Sequence, residues 1–250
     1  MGFIVDSHCH LDYLDKPLEE VKSMAKALGV QRFLTISVEE SQWDSLIVLG
    51  QDPDIDVALG IHPCDVIKAK KGWEERLRQA AKDPAVVAIG ETGLDNYHDS
   101  TQKTIQMEAL EAHASIAEDS GKALVIHMRD ATDDTMAFLC QKYQGKGILH
   151  CFSESYDVAK KAVGQGLLIS LSGIVTFKNA HQLHEVAQKI PLEHLLLETD
   201  SPFLAPVPYR GKPNYPGYTR YVAEKVAELK GISWEAVAEQ TTKNYLALVG

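Results

Sequence analysis

No stretch of the 250 residues approaches the ~18 uninterrupted apolar positions of a membrane-spanning helix. A transmembrane protein is therefore not expected. Cationic excess is missing as well: 25 Lys and Arg stand against 35 Asp and Glu, a formal net charge of -10. That balance excludes broad, nonspecific attraction to nucleic acid or to an anionic membrane. It leaves room for a local positive centre, because a bound metal inverts the sign where it sits. The four cysteines, Cys9, Cys64, Cys140 and Cys151, form no CxxC, and they read as reduced thiols of a cytoplasmic protein. The start MGFIV has neither a basic segment nor a long apolar core, so no signal peptide is expected. Internal repeats, low-complexity tracts and Pro/Gly/Ser linkers are also missing. One domain over residues 1–250 is the expectation.

What is present is a rhythm. Eight short, near-continuous apolar runs follow one another: FIVDSH, RFLTISV, DVALGIH, VVAIGET, ALVIHMR, GILHCF, LLISLSG and HLLLETD. Each has the length of a strand buried on both faces, as in parallel sheets. Between them lie amphipathic segments such as PLEEVKSMAKALGV, TQKTIQMEALEAHASIAEDSGK and NAHQLHEVAQKI, with apolar residues at i, i+3, i+4 and i+7. Strand–helix repeated eight times in this length predicts an α/β fold, the (β/α)8 barrel. A doubly wound open sheet is the alternative. Residues 202–218 form the one long irregular stretch, placed after the eighth run as a lid or substrate loop would be.

Ligand-type residues gather at the ends of these runs. Asp6, His8 and His10 accompany the first, His62 ends the third, Glu91 the fourth, His127 the fifth, His150 the sixth and Asp200 the eighth. In a barrel all strand ends of one sense meet at the face where active sites are built. Any one of these histidines alone would read as a packing residue, and Asp200 alone as a helix cap. Together they would crowd charged and polar groups into one mouth, where they need partners or metal. Three other histidines, His113, His181 and His184, fall on helical segments and read as ordinary surface or core residues. His8-Cys9-His10 has the period of an extended strand, so both imidazoles project to one side and Cys9 to the other.

The blocks VDSHCHLD, GIHP, AIGETGLD, VIHMRDA, LHCFS, ISLSGIVTF, LLLETDSPFLAP and RGKPNYP resemble the signatures of the TatD family of metal-dependent hydrolases. The likeness covers essentially the whole chain and is strongest to its bacterial YcfH-like branch of deoxyribonucleases. The resemblance implies an amidohydrolase-like barrel with two divalent metals. It assigns one metal to His8, His10, Glu91 and Asp200, and the other to Glu91, His127 and His150, with Glu91 shared. It also implies that His62 and Arg210 meet a substrate phosphate. Asn96, where the family often has an aromatic, and Tyr215, where it often has Glu or Gln, are departures that bear on substrate preference.

Charge supports the same chemistry. The resemblance to amidohydrolase barrels implies a metal-bridging carboxylate on the fourth strand, often a carboxylated lysine; this run has no lysine and ends in Glu91, which would take that role. Two divalent ions bring +4 against -2 from Glu91 and Asp200, leaving a positive centre in an acidic chain. Such a centre attracts a phosphodiester and lowers the pKa of bound water. Imidazole and carboxylate donors without thiolate fit Zn, Mn or Mg, with the imidazole count favouring Zn or Mn. Asp200 is expected to be ligand and general base, or ligand alone. Arg129 and Asp130 are either substrate contacts or a structural ion pair. Arg210 and Lys212 are candidates for phosphate, and Tyr209, Tyr215 and Tyr218 either stack on bases or pack internally.

The leading expectation is a deoxyribonuclease acting on single-stranded DNA ends, working as a monomer and away from membranes. An ester or amide hydrolase, such as a D-aminoacyl-tRNA deacylase, would use the same metals. A non-catalytic metal-binding interaction protein is the reading of another class.

Overall fold

The computed structural model describes residues 2–250; Met1, which opens the MGFIV start, lies outside them. Its strands are β1 (Ile4–Cys9), β2 (Val30–Ile36), β3 (Ile55–Leu59), β4 (Val86–Asp95), β5 (Ala123–Arg129), β6 (Gly147–Leu149), β7 (Leu167–Leu171) and β8 (Leu195–Leu197). The helices are α1 (Leu18–Ala27), α2 (Trp43–Leu49), α3 (Trp73–Ala80), α4 (Asn96–Asp99), α5 (Lys103–Ser120), α6 (Thr132–Gln141), α7 (Tyr156–Gly164), α8 (His181–Lys189), α9 (Thr219–Lys230) and α10 (Trp234–Val249). Strand order is β1-β2-β3-β4-β5-β6-β7-β8, and the strands are parallel. Sequential order is that of the expected (β/α)8 class. A doubly wound sheet, whose order reverses at a switch point, is ruled out. No helix among the described residues is long and apolar enough to cross a membrane.

The chain packs as two compact units that interleave in sequence. The first takes the described part of Met1–Thr35 with His150–Val163 and Leu168–Ala247; the second takes Ile36–Leu149 with Gly164–Leu167 and Leu248–Gly250.

In the first unit β8 and the segment after it run beside β1. The Ser7 hydroxyl donates to Leu197 O at 3.0 Å. Beyond β8, Asp200 N–H donates to His8 O (2.9 Å) and His10 N–H donates to Ser201 O (2.8 Å). The segment after β8 thus continues alongside β1 in fixed register. Ile4, Phe33, Leu196, Val222 and Tyr245 are buried at its core. Helix α1 carries Glu19 and Glu20 in its first turn and Lys26 in its last, signs that complement the helix dipole.

The second unit is built on β3 to β6. Leu59, Ile89, Leu124, Ile126 and Ile148 are fully buried, each contributing about 1.5–3 kcal/mol by leaving water. Strand β4 runs to Asp95, four residues past Glu91, because its pairing with β5 continues through Gly93↔His127 and Asp95↔Arg129. Gly93 permits this: its φ is 147° and a Cβ there would lie 1.9 Å from His127 O. Only glycine accepts that backbone and that approach. Strand β8, by contrast, stops at Leu197, so Glu198, Thr199 and Asp200 lie beyond it.

Candidate metal centre

In the first unit, strand β1 and the residue that follows it deliver His8 and His10, both buried, to one side. Their ring centroids are 5.2 Å apart. Cys9 faces the other way, fully buried, with its thiol donating to Leu34 O at 3.5 Å. Asp200 Oδ1 stands 3.7 Å from His8 Nε2 and 3.5 Å from His10 Nε2. These distances are long for hydrogen bonds, whereas converging lone pairs on one oxygen and two imidazoles suit a cation between them. Burial raises the Asp200 carboxyl pKa, but the contact with His10 and the charges of His8, His10 and His150 outweigh it and hold the group below its ordinary value. Its placement is set from behind by Asp6, which accepts the Thr199 N–H (2.9 Å) and the Thr199 hydroxyl (2.5 Å). Asp6 therefore acts as an anchor for the segment leading to Asp200.

His150 follows β6 directly and stacks on His8, with centroids 3.9 Å apart and planes 15° from parallel. Its Nδ1 lies 3.5 Å from Glu198 Oε1. That oxygen also accepts Cys151 N–H at 2.7 Å. Glu198 is fully buried, and its Oε2 has no hydrogen-bond partner among the described residues. A buried carboxylate oxygen in that condition is costly unless a cation joins it. His8, His150 and Glu198 each offer a ligand atom within 4.8 Å of the others.

In the second unit, His127 is bracketed by carboxylates. Its Nδ1 is 2.9 Å from Glu91 Oε1 and its Nε2 is 3.0 Å from Asp95 Oδ2. A neutral imidazole donates from one nitrogen only. Two carboxylates at hydrogen-bond distance therefore call for an imidazolium or for a cation on one side. His62 Nε2 stands 3.7 Å from Glu91 Oε1, and its ring lies edge-on to His127 at 4.5 Å. Asp95 is buried, which raises its pKa, yet bonds from His127 and His98 bring it well below the ordinary carboxylate range. Its backbone is gripped by the buried Gln106 of α5: Asp95 N–H donates to Gln106 Oε1 (2.9 Å) and Gln106 Nε2 donates to Asp95 O (3.2 Å).

Both clusters consist of imidazole and carboxylate donors, and both contain contacts that a divalent cation would resolve. The residues present fit metal. Against known proteins, the family model described as TatD related DNase matches residues 5–250. The chain belongs to the TatD family. It is 41% identical to the uncharacterized metal-dependent hydrolase YcfH of Escherichia coli (strain K12), over 98% of this chain and 95% of that one. It is 39% identical to the uncharacterized metal-dependent hydrolase YabD of Bacillus subtilis (strain 168), over 96% of each. The crystal structure of YjjV, a TatD homologue from Escherichia coli K12, superimposes with a TM-score of 0.92 at 28% identity, covering 98% of this chain and 97% of that one. The chain is thus a metal-dependent hydrolase of TatD type and barrel class.

The residues singled out in this TatD chain fall as follows. His8, His10, His150 and Asp200 come together in the first unit, and His62, Glu91 and His127 in the second. Arg210 is exposed, with its guanidinium 4.3 Å from the centroid of the Phe177 ring. Arg129 likewise covers the Tyr97 ring at 4.6 Å, and Asp130 O accepts from Asn96 Nδ2 at 2.9 Å. The long-loop tyrosines are turned toward each other. Tyr209 and Tyr218 stack at 4.3 Å, and Tyr215 is buried with its hydroxyl donating to Asp15. His113 is a buried core residue, and His184 Nε2 meets Val175 O at 3.0 Å, as the ordinary reading expected.

Glu198 and Asp95 were not singled out from the sequence. Glu198 sits at the polar end of the eighth run and Asp95 three residues past the fourth, and a signal did exist for Glu198. Glu198-Thr199-Asp200 repeats the i, i+2 spacing of His8-Cys9-His10, which puts both carboxylates on one side of an extended chain. For Asp95 the only hint is a carboxylate closing the GETGLD run.

Proposed function

We propose that this TatD-family hydrolase cleaves phosphodiester bonds of DNA, releasing nucleotides from single-stranded ends. His8, His10, Glu91, His127, His150 and Asp200 would be the ligands of two divalent ions, of which Zn and Mn suit the imidazole-rich donor set best. The observation that carries the reading is the convergence of His8 and His10 on Asp200, a carboxylate held anionic by its surroundings. Support for DNA comes from the family's description as a related DNase.

Bound divalent ions would supply a nucleophilic water of lowered pKa and offset the negative charge of the phosphodiester. Asp200 receives the proton of the attacking water, for which a carboxylate anchored through Thr199 and Asp6 is already in place. His62, Arg129 and Arg210 orient the phosphate, the Arg210 guanidinium starting from its place over the Phe177 ring. The chain's net charge of -10 leaves duplex binding weak away from the centre, which favours action at ends.

The test incubates chelator-treated protein with end-labelled single-stranded DNA and, separately, D-aminoacyl-tRNA, with Mg, Mn or Zn restored. Metal-dependent release of mononucleotides is expected, falling about a hundredfold or more in Asp200→Asn, the scale of a lost general base. Turnover of the ester alone, or DNA cleavage indifferent to Asp200→Asn, overturns the proposal.

A further inference from the structure

Asp95 also belongs to a second set of donors, with Cys64 and His98, that the two-ion reading does not use. We propose that Cys64, Asp95 and His98 form a separate site for a borderline divalent cation of the zinc class. Each offers a ligand atom, and the three atoms lie within 4.8 Å of one another. All belong to the second unit.

The chain builds this arrangement from three independent local constraints. Asp95 ends β4 and caps α4, its Oδ1 accepting His98 N–H at 2.8 Å. One helical turn then brings the His98 ring back over the same carboxylate, with Nδ1 2.8 Å from Oδ2. Cys64 arrives from the turn after β3. Its N–H donates to His62 Nδ1 at 3.2 Å, and burial, with the neighbouring Asp95 carboxylate, pushes its thiol pKa up to about 11, a shift that a bound cation would reverse. The Gln106 grip on both backbone groups of Asp95 fixes the carboxylate at the centre of the set.

Donor chemistry selects the occupant. A thiolate beside an imidazole and one carboxylate oxygen suits Zn(II) or Co(II) and disfavours Mg or Ca, which take oxygen ligands. Asp95 is fully buried, Cys64 half-buried and His98 exposed, so the open side faces solvent. Three protein ligands with an open position is the pattern of a zinc site that keeps water or takes an anionic oxygen. Binding replaces the S–H bond of Cys64 by a metal–sulfur bond and releases one proton to solvent. Because Asp95 Oδ2 also lies 3.0 Å from His127 Nε2, occupancy would be felt through Asp95 by His127.

The cysteine distinguishes this site from the remaining donors, which are nitrogen and oxygen. Metal-stripped protein is titrated with cobalt(II), following the near-ultraviolet thiolate-to-cobalt charge-transfer band and the visible bands. The charge-transfer band is expected in the unaltered protein and not in Cys64→Ser, while visible bands from the other donors persist in both. His98→Ala is expected to weaken the affinity read from that band by at least roughly tenfold, the lower bound for loss of even an outer partner. Circular dichroism and thermal melts establish that both variants are folded. A titration without the thiolate band overturns the proposal, as does an unchanged band in Cys64→Ser, which would move the thiolate to Cys151 beside Glu198.

Discussion

Replacing His113 by leucine is expected to destabilise the protein at pH 7 and to stabilise it at pH 4. His113 lies wholly inside the second unit, stacked on Trp73 at 4.6 Å. Its Nε2 accepts the Ile61 N–H (3.1 Å) and its Nδ1 faces Ala109 O (2.7 Å), so the neutral ring with hydrogen on Nδ1 is the form that fits. Burial, only partly offset by the Ala109 bond, lowers its pKa from 6.5 to about 4. A depressed histidine contributes stability that is complete above the unfolded pKa and is lost as pH falls toward the folded one. Linkage converts those two values to about 2 kcal/mol lost by pH 5 and about 3 kcal/mol by pH 4. Leucine removes that loss but strands the Ile61 N–H, at roughly 1–3 kcal/mol. The two stability curves therefore cross near pH 5. Urea unfolding of both proteins at several pH values, with chelator throughout so that metal loss does not intrude, reads the difference directly. A gap between them that stays constant from pH 7 to pH 4 refutes the reasoning, whatever its size.

Four further outcomes follow from the same geometry. Gly93→Ala, which drives a Cβ against His127 O on a backbone only glycine accepts, is expected to cost more than about 3 kcal/mol in denaturant unfolding or to leave the chain insoluble. Glu198→Gln keeps an acceptor for Cys151 N–H but discharges the carboxylate facing His150; metal affinity by calorimetry should fall roughly 10–100-fold while the chelated melting temperature barely moves. Thr199→Val removes the hydroxyl that donates to Asp6 and accepts the Ser201 N–H. About 1–2 kcal/mol of stability should go with it, and kcat should fall more than KM changes, because substrate contacts are intact. Chelation of protein prepared with metal about a hundredfold above its Kd should lower Tm by roughly 5–10 °C, the equivalent of about 2.7 kcal/mol in a chain of this length.

Much of this architecture is written in local pattern. Eight doubly buried runs announce their strands because a strand covered on both faces has few positions for polar residues. The histidines and carboxylates at their ends stand out against that background. His8 and His10 could be placed on one side, and Cys9 on the other, from strand period alone. What could not be read depends on partners distant in the chain. Glu198 looks like the polar end of an apolar run until His150 is set against it. Asp95 gains its meaning from Gln106, eleven residues on, and from His127. The extra length of β4 depends on how closely β5 approaches Gly93. The long-loop tyrosines were open to two readings because aromatic composition is the same for a stacking platform and for a packed cluster; their mutual stacking is a tertiary fact.

Helix α5 holds Gln106 and His113 seven residues apart, two helical turns, and so on one face. The former clasps the end of β4 at Asp95, and the latter clasps Ile61 next to His62. One rigid rod is thereby a spacing gauge for two strand ends, setting His62 and Asp95 to a common measure. Inserting or deleting a single residue between those two positions turns one grip about 100° away from its partner while leaving the helix itself intact. The surface loops of this chain can drift in length at small cost; the distance from Gln106 to His113 cannot, although neither residue touches a metal or a substrate.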